Sequence, residues 1–182
     1  MSTNTTSPFV RFVAMLFLCT APMNAQMNAP AHLMPLPEKI ALSDGKLVID
    51  GTLRCQVTGY SDALLERAAA RFLQNLRKKT GIPFAPGAAA SGPATLKIHC
   101  GHAGEPVQSV AGDESYTLEV TAASASLAAP APLGILRGLE TLLQLVDLDE
   151  KSFFVPCLKI EDRPRFRWRG LLIDVSRHWE PI

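Results

Sequence analysis

Asp174, Ser176 and His178 put a carboxylate, a hydroxyl and an imidazole at i, i+2 and i+4 near the end of the chain. On an extended strand such residues share one face, but successive members lie roughly 6.6 Å apart, too far to relay a proton from hydroxyl to imidazole to carboxylate. The spacing therefore excludes a Ser-His-Asp triad. Two readings stay open: a row of hydrogen-bonding groups turned towards a ligand, or Asp174 paired with a base such as Arg177 to fix the strand end. His99, Cys100 and His102 in "HCGH" invite a metal, yet neighbouring strand residues point to opposite faces and no second ligand pair stands nearby. No metal and no cofactor is expected. Glu161 and Asp162 are adjacent carboxylates, placed by the chain order in a connector. Arg163, Arg165, Arg167 and Arg169 recur at every second position; without a wider basic surround they read as a solvated or ion-paired connector.

Composition bounds what these groups can serve. The 182 residues are 47% hydrophobic and 19% charged, enough for one globular domain with a core. Residues 1–25 read as a signal peptide: Arg11 precedes the apolar run "FVAMLFLCTA", too short to span a bilayer, and cleavage is expected after Ala25. Export to the periplasm or the exterior follows, with no stable membrane anchor after cleavage. Removing Arg11 from the 18 basic residues leaves 17 against 17 acidic ones. That neutrality argues against a nucleic-acid partner. Cys55, Cys100 and Cys157 remain, each in a strand-like run that suits a small buried hydrophobe.

The elements that must position these residues follow from periodicity. Strands are expected around 46–50 and 53–58, joined as a hairpin or meander through Asp44-Gly45 and Asp50-Gly51 turns. A helix follows, capped by Ser61 or Asp62, with Leu64, Ala68, Phe72 and Leu76 on one stripe, Arg77, Lys78 and Lys79 at its end, and Gly81 and Pro83 as its stop. "TLKIHC" and "ESYTLEVT" read as strands. "PLGILRGLETLLQLVDL" reads as a second helix, with Leu136, Leu139, Leu143 and Val146 on one side and Gly134 and Gly138 permitting close backbone contact; "FFVPCLKIED" returns as a strand. The fold class predicted is α+β, an antiparallel-dominated sheet with two helices on one face.

"GLLIDV", residues 170–175, is apolar apart from Asp174, the pattern of a strand buried on both faces. Roughly 20 residues cannot close a (β/α)8 barrel, which takes about 250, so this strand is expected to be the first of a truncated barrel in a longer protein.

"FRWRGLLIDVSRHWEP" resembles the opening barrel strand of glycoside hydrolase family 20, the β-N-acetylhexosaminidases. "DESYTLEVT", "LGILRGLETLLQL" and "EDRPRFRWRG" resemble the segments that precede it there, in the same order. The likeness covers about residues 34–182. Other glycosidase families with a similar N-terminal domain, such as the α-glucuronidases, fit "WRGLLIDVSRH" less well. The resemblance implies a non-catalytic α+β domain over 26–160 and the start of a catalytic barrel over 161–182. It assigns substrate contacts to Arg169, which it matches to an arginine holding sugar hydroxyls, and to Asp174 and His178 near the pocket. The implied partner is a glycan or chitin-like oligosaccharide ending in N-acetylhexosamine. The implied chemistry is substrate-assisted: the sugar's acetamido oxygen attacks the anomeric carbon while an Asp-Glu pair on a later strand supplies acid and charge stabilisation. No catalytic residue is expected within this chain. A non-catalytic exported module binding carbohydrate or protein is the alternative, disfavoured because an exposed "GLLIDV" would be an aggregation hazard.

Overall fold

The computed structural model describes residues 33–84 and 94–170; residues 1–25, Asp174 and His178 lie outside them. In chain order the elements are β1 (Lys39–Ile49), β2 (Cys55–Gly59), α1 (Ala63–Thr80), β3 (Leu96–Cys100), β4 (Tyr116–Val120), β5 (Ala125–Ala129), α2 (Pro132–Leu145), β6 (Asp147–Leu148) and β7 (Phe153–Asp162). One mixed sheet runs β1-β7-β4-β5-β3-β2, with β6 beside the start of β7. β7 pairs antiparallel with β1 and β4, and β4 with β5, whereas β5, β3 and β2 run parallel.

The hairpin expected over 46–58 does not form. β1 and β2 lie on opposite edges of the sheet, and Asp44-Gly45 is a bulge inside β1 rather than a turn. Leu42 faces Leu158 and Lys46 faces Pro156, so three residues of β1 stand opposite Cys157 alone. Gly45 adopts φ 103°, a backbone that favours glycine, and Pro156, which has no N–H to give, sits beside this irregularity. The edges of a flat six-strand path would be about 24 Å apart. The six Cα steps from Ile49 to Cys55 reach at most about 22 Å. The sheet is therefore not flat, as the ordinary twist of strands requires, and Leu47, Ile49 and Val155 lie in its core.

Each central strand buries alternate residues. Leu96, Ile98, Cys100, Tyr116, Leu118, Val120, Leu127 and Ile160 face the helices. Lys97, Ser126, Glu119 and Lys159 form a cross-strand row on the other, open face. His99 is exposed on that open face while Cys100 is buried, the divergence that strand geometry predicts for "HCGH". Cys55, Cys100 and Cys157 are free thiols, and burial pushes Cys55 up to about 12 and raises the other two, so all three stay protonated at neutral pH.

α1 begins where Asp62 Oδ1 accepts the Leu65 N–H at 2.9 Å and ends at Gly81, φ 73°, whose N–H donates to Arg77 O at 2.7 Å. Its buried stripe is Leu65, Ala68, Phe72 and Leu76; Leu64, expected there, is exposed. α2 turns Gly134, Ile135, Gly138, Leu139, Leu142 and Leu145 inward; of the stripe expected from periodicity Leu139 and Val146 are buried, while Leu136 and Leu143 are only partly so. The two glycines decide the rotation. A Cβ on Gly134 would stand 2.1 Å from Ser115 O, and one on Gly138 would stand 2.2 Å from Leu127 Cδ1, so only these residues let α2 lie this close to β4 and β5.

Candidate functional site: the joint at the end of β7

Four elements converge where β7 ends. Tyr116, the first residue of β4, is buried, with its hydroxyl 2.7 Å from Thr141 Oγ1 on α2 and donating to Asp162 Oδ2 at 3.1 Å. Asp162 Oδ1 also accepts the Glu38 N–H at 3.0 Å, tying in the chain ahead of β1. Burial, above all, pushes the Tyr116 hydroxyl well above its ordinary value, and the nearby Asp162 carboxylate adds to this. The phenol therefore stays neutral and serves as a hydrogen-bond hinge.

Glu161 and Asp162 are the last residues of β7, as the strand read over "FFVPCLKIED" implies and not as the connector reading of the pair had it. As strand neighbours they diverge: Glu161 meets Lys39 at 3.1 Å and Lys159 at 3.2 Å on the open face, while Asp162 turns into the joint. They cannot act together on one substrate atom.

Residues 163–170 continue without helix or strand. Arg163 forks onto Glu38, its Nε at 2.8 Å and its Nη2 at 3.2 Å. Arg169 reaches Glu114, which lies just ahead of β4, and its Nη1 donates to Phe166 O at 3.0 Å. The other oxygen of Glu114 accepts from Arg137 Nε of α2 at 2.6 Å. Burial raises the Glu114 pKa, but the donors from Arg137 and Arg169 outweigh it and leave the carboxyl below the ordinary carboxylate value. Arg165 and Arg167 make no ion pair among the described residues. A cleft of about 500 Å³ opens between α2 and this stretch, lined by Leu36, Glu114, Tyr116, Arg137, Phe166 and Arg169 among others.

Of the residues expected to contact substrate, Arg169 is described and is engaged by protein groups, while Asp174 and His178 fall outside the described residues. Glu114, Arg137, Tyr116 and Thr141 carry the joint but give no local signal of it. Glu114 is 23 residues from Arg137 and 55 from Arg169, separations that no helix or strand period links. Among the described residues, no group of three or more His, Cys, Asp or Glu side chains could hold a metal.

The family model described as Glycosyl hydrolase family 20, domain 2, matches residues 31–163. Beta-hexosaminidase 1 of Arabidopsis thaliana is 31% identical over an alignment taking in all of this chain and 37% of its own length. The Homo sapiens beta-hexosaminidase subunit beta is 44% identical over 48% of this chain and 15% of its own length. Among solved structures, the Flavobacterium johnsoniae chitobiase superimposes with a TM-score of 0.75 at 38% identity, covering 82% of this chain and 23% of that one. An exo-β-N-acetylglucosaminidase of Vibrio harveyi, solved in complex with N-acetylglucosamine, gives 0.64 at 26% identity over 82% of this chain and 21% of its own. The chain thus spans little more than a third of the Arabidopsis relative and under a quarter of either structure. On the family match over residues 31–163, with the superposition on the Flavobacterium johnsoniae structure in agreement, the chain belongs to glycoside hydrolase family 20.

Proposed function

We propose that this chain is the N-terminal part of an exported exo-β-N-acetylhexosaminidase that releases terminal N-acetylglucosamine or N-acetylgalactosamine from glycan or chitin-like ends. The observation that carries the reading is the family match over residues 31–163 together with the 0.75 superposition on a chitobiase. The N-acetylglucosamine complex of the Vibrio harveyi relative supports the sugar class.

In this reading residues 26–160 form the non-catalytic domain and 161–182 open a (β/α)8 barrel whose later strands bring the reactive carboxylates. Catalysis is substrate-assisted and retaining. The acetamido oxygen displaces the leaving group to give an oxazolinium-like ion, a glutamic acid protonates the departing oxygen, and a neighbouring aspartate steadies the charge; water, giving a proton back to that glutamate, then attacks the anomeric carbon from the face the leaving group left. Asp174 and His178 support the sugar by hydrogen bonding. The family resemblance gives Arg169 a sugar contact as well, whereas its described partners favour a different role, argued below.

The test is hydrolysis of chromogenic β-N-acetylglucosaminides by the natural gene product. Replacing the acetamido methyl hydrogens with fluorine weakens the attacking oxygen, so turnover should fall stepwise with one, two and three fluorines. A rate indifferent to fluorination would remove substrate assistance, and no hydrolysis at all would remove the glycosidase.

A further inference from the structure

The Glu114 carboxylate is well enclosed in the joint, its side chain only 13% exposed. Both oxygens are engaged, one by Arg137 and one by Arg169. Arg137 is not free to wander. It sits three residues beyond Gly134, whose missing side chain lets α2 rest on the carbonyl of Ser115, the residue next to Glu114. The carboxylate is therefore fixed from the helix side before Arg169 meets it. Arg169 in turn donates from its Nη1 to Phe166 O, tying residues 166 and 169 together. At the other end of the same stretch, Arg163 is forked onto Glu38 and Asp162 is held by Tyr116 and the Glu38 N–H. Residues 163–170 are pinned at both ends, with Phe166 74% and Trp168 82% exposed between the pins.

We infer that Glu114 is a positioning residue that fastens the stretch after β7 to the α+β domain through Arg169, and that the Arg169 guanidinium serves this carboxylate and not a sugar. Two observations carry it. A sugar-binding fork must be free to turn its parallel donors onto the sugar, and Arg169 already gives one N–H of each terminal nitrogen to a protein oxygen, which fixes the orientation of the group. A carboxylate this enclosed is costly to leave with one cation gone, so the pair is held by its surroundings as well as by its charge. The fastening fixes Gly170, the last of the described residues, relative to the domain. The statement about the sugar rests on the hexosaminidase reading; the fastening does not.

The experiment is limited digestion of the natural gene product by a protease that cuts after arginine, following cleavage at Arg165 and Arg167. Glu114→Gln and Arg169→Gln should each speed it about tenfold, cleavage after Lys97 in the sheet should hold its rate, and the double variant should be no faster than either single. Glu114→Asp, which keeps the charge on a shorter arm, should fall between and guards against a variant that merely fails to fold. Cleavage within twofold of wild type in Glu114→Gln, or effects that multiply in the double, would overturn the fastening. On a chromogenic β-N-acetylglucosaminide, Glu114→Gln and Arg169→Gln should move KM by the same factor. A KM raised tenfold or more in Arg169→Gln and Arg169→Lys but unmoved in Glu114→Gln would return Arg169 to the sugar. Should the wild type hydrolyse nothing, the glycosidase reading falls and the digestion result still decides the fastening.

Discussion

α1 and α2 lie side by side on one sheet, yet they are specified in opposite ways. α1 carries nearly every local instruction a helix can have. Asp62 caps it, Glu66 sits in its positive first turn, Arg77, Lys78 and Lys79 crowd its negative end, and Gly81 turns the chain out. α2 has no side-chain cap at Ala131, no acid in its first turn, no base in its last, and an extended Val146 at its close. What holds α2 is contact: glycines against β4 and β5, apolar residues in the core, and Arg137 and Thr141 in the joint. A helix written in local code can stand almost anywhere, whereas one written in contacts can stand in only one place. The site is built on the second kind.

The comparison breaks most visibly at Gly134. Alanine there gains about 1 kcal/mol of helix propensity, but its methyl would meet a backbone carbonyl that cannot step aside. A net loss of at least about 3 kcal/mol in urea unfolding is expected. Gly138→Ala should cost less, about 1–3 kcal/mol, because it meets the end of the Leu127 side chain, although that leucine is fully buried. On the other helix, Asp62→Ala should remove about 1 kcal/mol by leaving the Leu65 N–H without its acceptor.

The smallest effect is the most selective. The Leu65 N–H and other nearby donors hold the Asp62 carboxyl below its ordinary value of 3.8. Its contribution is therefore present above that value and lost as pH falls through the lower, folded one. Asp62→Asn should match wild type near neutrality, since asparagine also caps, and should show a shallower decline in stability below about pH 4. An acid limb identical in the two proteins would show that the Asp62 charge adds nothing to its cap.

The same contrast explains what was legible in the sequence. α1's start could be narrowed to Ser61 or Asp62 and its stop placed at Gly81 because capping is chemistry between neighbours. Its stripe was off by one, Leu65 for Leu64, since both are leucines and only the sheet chooses between them. The inward face of α2 was read in part: Leu139 and Val146 are buried and Gly134 and Gly138 make the close contacts expected, but Ile135, Leu142 and Leu145 face inward where Leu136 and Leu143 were expected. Leucines and isoleucine surround much of the helix, and the choice fell to two glycines that contribute no hydrophobicity at all. The supposed hairpin over 46–58 failed because alternation marks a strand without naming its partner; β1 pairs with β7, more than a hundred residues on. Glu114 stood in plain view within "DESYTLEVT", but a carboxylate's partners across 23 and 55 residues are a property of the fold. The order of helices and strands was readable apart from β5 and β6, too short to show a period; their adjacency mostly was not.

The pairing of the first strand with the last also bears on how the protein is made. During synthesis β1 emerges early with Leu47 and Ile49 destined for the interior, and its hydrogen-bonding edge stays vacant until β7 has left the ribosome. Nearly the whole domain must be translated before that edge is covered, which favours slow closure and a long exposure to chance partners. Nascent chains halted before Asp162 should for that reason be the species that molecular chaperones capture most readily.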